Sequence, residues 1–165
     1  MNLKQLHILL ADDDLDDCLF FKEALKEFPL PTHLTSVNDG EQLMQHLTHE
    51  KCELPHVLFL DLNMPRKNGF ECLSEIKLFK KLEHLPVIMY STSFEQEVVN
   101  QLYKNGAQHF IRKPSEFSQF KKIIRQTLSN IAQDLSSDQK DPMGNGDSIS
   151  PMTRENFVLT IKETL

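Results

Sequence analysis

Pro55-His-Val-Leu-Phe-Leu-Asp-Leu-Asn-Met-Pro65 is the stretch on which the reading of the whole chain turns. Val57 to Leu60 is an apolar run short enough for a fully buried strand, and it stops at Asp61. Pro65 and Asn68-Gly69 then force a turn. An acid just past a buried strand stands where open α/β sheets place their ligands. The plainer alternative is a cap for the next helix, a position that Asp often fills. The surrounding sequence separates the two.

Outward from that stretch, short apolar runs alternate with helical periodicities. Leu6 to Ala11 reads as a strand broken by Asp12-Asp13-Asp14, and Cys18, Phe21, Leu25 and Phe28 recur at helical spacing until Pro29 and Pro31. Leu34 to Val37 is a second strand, ended by Asn38-Asp39-Gly40, and Leu43, Met44 and Leu47 mark a second helix. After Asp61, Phe70, Leu73 and Ile76 give a third helix. Val87 to Tyr90 is a fourth strand running into Ser91-Thr92-Ser93. Val98, Val99, Leu102 and Tyr103 form a fourth helix closed by Asn105-Gly106. Gln108 to Arg112 is a fifth strand before Lys113-Pro114, and Phe117 to Leu135 is a long, strongly periodic last helix.

Strands and helices alternating at this spacing predict a doubly wound (βα)5 fold, with a five-stranded parallel sheet and helices on both faces. In that architecture the ligand crevice lies at the carboxyl ends of the strands. The polar residues just past the strands are Asp12, Asp13, Asp61, Ser91 and Lys113. Three carboxylates brought within ~4 Å repel by roughly 4 kcal/mol per pair at a near-surface dielectric. A divalent cation and Lys113 together cancel that charge, and an all-oxygen donor set suits Mg2+. Asp61 can then serve as a nucleophile towards phosphorus, with Ser91 donating its hydroxyl to a phosphoryl oxygen. Taken singly, Ser91 reads as well as a helix cap and Lys113 as a solvated cation. Their coincidence at successive strand ends favours the site.

Composition bounds the rest. At 165 residues, with 39% hydrophobic and 25% charged residues, the chain suits one globular domain plus an extension. A net charge of −6 without a basic stripe argues against a nucleic-acid partner. No apolar run reaches the roughly 20 residues of a bilayer span, and the N-terminus lacks the apolar core of a secretory leader, so a cytoplasmic protein without membrane contact is expected. Three unpatterned cysteines, Cys18, Cys52 and Cys72, agree with a reducing compartment, two of them at apolar helical positions.

From about Leu6 to Leu135 the chain resembles the receiver domain of bacterial two-component response regulators, the CheY-like, flavodoxin-like fold. The residues carrying the likeness are Ile8-Leu-Leu-Ala-Asp-Asp-Asp14, Leu60-Asp-Leu-Asn-Met-Pro65 with Gly69, Val87-Ile-Met-Tyr-Ser91, and Gly106-Ala107 leading to Phe110-Ile-Arg-Lys-Pro114. Asp-Leu-Asn-Met-Pro, the Ser-Thr-Ser run and the want of an effector domain are similar to phytochrome-associated single-domain regulators. The resemblance implies a phosphoprotein and not an enzyme acting on outside substrates: Asp61 takes a phosphoryl group from a sensor histidine kinase or phosphotransfer protein. It implies that Asp12, Asp13, Asp61 and the main-chain carbonyl of Asn63 hold Mg2+, and that Ser91, Thr92 and Lys113 contact the phosphoryl group. It implies a cis peptide at Lys113-Pro114, which only proline makes cheap. Ser91 and Phe110 become a switch pair: on phosphorylation the hydroxyl moves to the phosphate and the ring turns into the vacated space. Signalling would run through the helix 4/strand 5/helix 5 face, by partner contact or as a homodimer. Ser stands here for the commoner Thr and Phe for the commoner Tyr, so recognition near residue 110 rests on shape.

Beyond the resemblance, residues 136–152 read as a flexible linker rich in Ser, Asp, Gly and Pro. Residues 153–165 regain apolar side chains that fit either a helix or a strand, a docking segment for a partner or for the chain's own domain. The competing functions are weaker. A haloacid-dehalogenase-type phosphatase wants an acid two residues after its nucleophile, where this chain has Asn63. A flavodoxin-like cofactor binder wants Ser, Thr and Gly amides after the first strand, where Asp12-Asp13-Asp14 would repel a phosphate. A pseudo-receiver working without phosphorylation is the remaining alternative, opposed by the intact set of acids, hydroxyl and lysine.

Overall fold

In the computed structural model, residues 3–137 and 157–159 are described. Strands β1 (Leu6–Ala11), β2 (Thr32–Val37), β3 (Val57–Asp61), β4 (Val87–Ser91) and β5 (His109–Arg112) alternate with helices α1 (Leu15–Lys26), α2 (Gly40–Thr48), α3 (Gly69–Leu78), α4 (Gln96–Lys104) and α5 (Phe117–Ser137). A short strand, β6 (Val158–Leu159), follows. The sheet runs β2-β1-β3-β4-β5-β6, every pair parallel.

Two apolar layers fix this arrangement. β3 and β4 are buried along their whole length, which is why they read as unbroken apolar runs. Alternate residues point to opposite faces. Leu9, Leu58, Leu60 and Met89 pack with α2, α3 and α4 through Leu43, Leu73, Ile76 and Leu102. Ile8, Leu10, Phe59 and Ile88 pack with α1 and α5 through Phe21, Leu25, Ile124 and Leu128. Cys18 and Cys72 are buried members of these layers, and all three cysteines are free. No helix among the described residues is long and apolar enough to cross a membrane.

The doubly wound fold stands, with differences at its margins. β2 begins at Thr32, two positions before Leu34, because the edge strand mixes half-buried and exposed residues without strict alternation and carries a weak apolar signal. α5 continues through Ser136 and Ser137, whose hydroxyls donate to the carbonyls of Ala132 (2.9 Å) and Asp134 (3.0 Å). Those residues therefore leave the expected linker, the rest of which lies outside the described residues. The sheet has six strands rather than five, since Val158 and Leu159 pair with Phe110 and Ile111. Pairing with an exposed edge is non-local, and a two-residue strand leaves no periodicity to read.

Candidate functional site

β1 and β3 are neighbours although α1, β2 and α2 lie between them in sequence, so the carboxyl ends of β1 and β3 flank the point where strand order reverses. The register Ala11↔Leu60 sets the residues just beyond, Asp12 and Asp61, side by side. Asp12 is fully buried, Asp61 is 6% exposed, and Asp13 is open to solvent. One carboxylate oxygen from each of Asp12, Asp13 and Asp61 lies within 4.8 Å of the others. Asp14, the remaining acid of the run, is turned to another task. Its Oδ1 accepts the N–H groups of Asp16 (2.9 Å) and Asp17 (3.2 Å) and caps α1.

The loop after Asp61 is folded back tightly. Gly69 N–H donates to the Leu62 carbonyl at 2.9 Å, and a Cβ at Gly69 would stand 2.3 Å from the Asp61 carbonyl oxygen. Only glycine permits that approach. Asn63 N–H donates to Asp61 Oδ1 at 3.2 Å, which orients the carboxylate.

Lys113 crosses the pocket from the end of β5. Its Nζ donates to Asp17 Oδ2 at 2.8 Å, Asp12 Oδ2 at 3.0 Å and Asp61 Oδ2 at 3.5 Å, and its side chain is 5% exposed. It also sits 4.2 Å from the Tyr90 ring centroid. Burial pulls its pKa down, but the charges of Asp61 and Asp12 and its bonds to Asp17 and Asp12 outweigh this and raise it. The Tyr90 hydroxyl donates to Asp12 Oδ2. Burial, with the Asp12 charge, lifts the tyrosine pKa well above its ordinary value, so it remains a donor. Asp61 is pushed up to about 7, first by burial and then by Asp12, against the pull of Lys113.

The remaining expected residues lie around this centre. Ser91, fully buried at the end of β4, accepts from Asn63 Nδ2 (3.4 Å) and Ser93 N–H (3.3 Å), and its Oγ lies 3.2 Å from Ser93 Oγ. Thr92 is exposed and shares a groove of about 590 Å³ with Asp17, Phe20 and Lys113. Phe110 is 1% exposed, its ring 5.8 Å from Phe94. The expected cis peptide is corrected: no peptide bond among the described residues is cis, so Lys113-Pro114 is trans. The trans form is the intrinsically favoured one by about 0.5–1 kcal/mol. In it Lys113 N–H still donates to the Ser91 carbonyl at 2.8 Å while Nζ reaches the acids.

The family model described as the response regulator receiver domain matches residues 8–125. The chain belongs to the response regulator receiver family. Response regulator Rcp1 of Synechocystis sp. is 30% identical over 122 residues, which cover 72% of this receiver and 83% of Rcp1. The probable methanogenesis regulatory protein FilR2 of Methanothrix harundinacea is 27% identical over 72% of this chain and 79% of its own length. Among solved structures, the Mn2+-bound form of Rcp1 superposes with a TM-score of 0.71 at 29% identity, covering 75% of this receiver and 92% of Rcp1. The phosphorylated cyanobacterial phytochrome response regulator RcpA gives 0.71 at 30% identity, over 74% and 91%. The receiver is thus similar to single-domain, phytochrome-associated regulators, within a family that works in two-component signalling and is in general not enzymatic.

The acids of this receiver fit a hard divalent cation. Asp12, Asp17 and Asp61 pair with one ammonium, Lys113, Asp13 adds a fourth carboxylate beside Asp12 and Asp61, and every donor atom of the acidic cluster is oxygen. The Asp61 pKa is raised first by burial and then by the Asp12 charge, and a cation between Asp12 and Asp61 would favour the ionised form against both. Sequence reasoning passed over Asp17 and Tyr90. Tyr90 stands in register beside Asp61, but its place in a buried strand disguises it as core. Asp17 reaches Lys113 only because α1 turns it inward.

Proposed function

We propose that this receiver takes a phosphoryl group on Asp61 from a sensor histidine kinase or a phosphotransfer protein, in the cytoplasm, and signals through a phosphorylation-dependent change of its α4–β5–α5 face. One observation carries the reading: the carboxylates of Asp12, Asp13 and Asp61 lie within 4.8 Å of each other under a buried Lys113 that bonds to both Asp12 and Asp61. Asp12, Asp13 and Asp61, with the main-chain carbonyl of Asn63, hold Mg2+, which supplies countercharge for the phosphoryl oxygens. Asp61, oriented by Asn63 N–H, attacks phosphorus in line. The P–N bond of the phosphoimidazole breaks, the imidazole leaves with its proton, and an acyl phosphate remains. Lys113 and the hydroxyls of Ser91 and Thr92 offset charge on the transferred group. In reaching it, Ser91 leaves Asn63 and Ser93, and the Phe110 ring, already buried on the cavity that those two residues line, moves further into the space the hydroxyl gives up.

Incubation with labelled acetyl phosphate, or with labelled ATP and candidate histidine kinases, tests the site. The parent should acquire label that hydroxylamine and alkali remove, as they cleave a mixed anhydride, and Asp61→Asn should acquire none. Labelling of Asp61→Asn at the parent's rate would place the acceptor elsewhere.

A further inference from the structure

β6 lies against the one apolar member of the site. Val158 stands in register beside Phe110 on the outer edge of β5, and Leu159 beside Ile111. Phe157, immediately before, is 2% exposed, and its ring meets Tyr103 of α4 edge-on at 5.1 Å. Phe157 and Phe110 belong to one apolar cluster, with Val158 packed on it and Leu159 packed on the cluster across the sheet. An aromatic anchor followed by a paired strand is the general way an extended segment holds a sheet edge.

The ring that this segment adjoins borders the candidate site. The Phe110 ring borders a cavity of about 150 Å³ whose walls include Asn63 and Ser93, the two residues that hold the Ser91 hydroxyl. The ring is already buried on that cavity, and the position next to it on the edge of β5 is closed by Val158. We infer that Phe157–Leu159 positions the switch: by closing the edge of β5 against α4, it holds the Phe110 ring in its buried position and so favours phosphoryl loading at Asp61. The inference rests on the reading of Asp61 as phosphoacceptor, with Ser91 and Phe110 as its switch pair. An inward ring is the arrangement that the loaded site needs, so the docked segment and the phosphoryl group favour the same state. Such coupling is reciprocal: loading must tighten the segment by the same factor by which the segment tightens loading. A segment that merely covered an exposed edge would stabilise both states equally and leave the affinity for a phosphoryl mimic unchanged.

The test uses the full chain, Mg2+ and beryllofluoride, which mimics the acyl phosphate without covalent transfer. Amide hydrogen exchange is followed at Phe110–Arg112 and Val158–Leu159, and beryllofluoride and Mg2+ affinities are measured by NMR titration for the parent, Phe157→Ala and Phe157→Leu. Beryllofluoride should slow exchange in β6 of the parent. Phe157→Ala should bind beryllofluoride about five-fold or more weakly with Mg2+ affinity unchanged, and Phe157→Leu, which keeps an apolar anchor, should recover most of the loss. Beryllofluoride binding with β6 exchange unchanged or faster, or equal affinity in Phe157→Ala, overturns the coupling alone. Failure of the parent to bind beryllofluoride overturns the phosphoacceptor reading, and the coupling with it. The exchange measurement needs no variant, so poor folding of Phe157→Ala does not shield the inference.

Discussion

The Asp61 carboxyl is held far above its ordinary pKa, and that shift sets a sign for stability. Burial and the Asp12 charge raise the carboxyl from 3.8 to about 7 in the metal-free protein. Between those values the folded state keeps a proton that the unfolded chain has lost, so unfolding free energy falls as pH rises through that window. At about 1.4 kcal/mol per pH unit the loss is at most roughly 4 kcal/mol, less whatever relaxation of the pocket recovers. Asp61→Asn removes this dependence while preserving shape. In EDTA, urea titrations should therefore show the variant gaining on the parent from pH 4 to a plateau near pH 8, by about 1–3 kcal/mol. A stability difference that stays flat with pH would sink the assignment of the shift to Asp61. At this scale much of the pocket was legible, since Asp12 and Asp61 follow an apolar run directly and Asp13 and Lys113 come one residue later. Asp17 and Tyr90 were not, because their approach to Lys113 and Asp12 depends on helix rotation and strand register rather than on sequence neighbours. The trans peptide at Pro114 was likewise beyond sequence, because the intrinsic difference between isomers is small and tertiary context decides.

Elements place these residues, and the junction from β3 to α3 has the least tolerance. Gly69 opens α3 directly against the backbone of Asp61, with Asn68 Oδ1 accepting the Glu71 N–H at 2.8 Å to cap the helix. In Gly69→Ala the added carbon would meet the Asp61 carbonyl oxygen at 2.3 Å and the Leu62 Cα at 2.8 Å, both backbone atoms that cannot swing aside. The loop must shift, and with it the Asn63 N–H that orients the Asp61 carboxylate. We expect a loss of about 2–4 kcal/mol in denaturant titrations, as for other forced backbone clashes. Phosphorylation by acetyl phosphate should fall by more than the folded fraction explains. Parent-like labelling of the folded fraction would show that the turn does not set Asp61. Elements with strong periods or unbroken apolar runs, such as α5, β3 and β4, were legible at once. β2 and β6 lie at the sheet edges, where half-exposed side chains blur alternation and the decisive partner is remote in sequence.

At the scale of the whole molecule the acidic balance is not spread evenly, and that governs the response to metal. The chain carries a net charge of −6, and at the carboxyl ends of the strands three carboxylates pair with one ammonium while Asp13 adds a fourth beside them. Folding concentrates that charge, so a cation that binds only the folded site must stabilise the fold by RT ln(1 + [Mg2+]/Kd). For a millimolar site at 10 mM Mg2+ this is about 1.4 kcal/mol, or a rise in Tm of roughly 3–6 °C for a chain of this size. Diffuse screening of a net negative protein would give a smaller shift that sodium chloride reproduces at equal ionic strength. Asp13 separates the two. It is exposed, so Asp13→Ala opens no cavity and should unfold near the parent's Tm without metal. If the pocket is the binding site, the variant should lose most of the Mg2+-induced shift, together with phosphorylation. A variant that keeps the parent's full Mg2+ shift, or a parent whose shift sodium chloride matches, would mean that the cation is bound elsewhere or not bound at all.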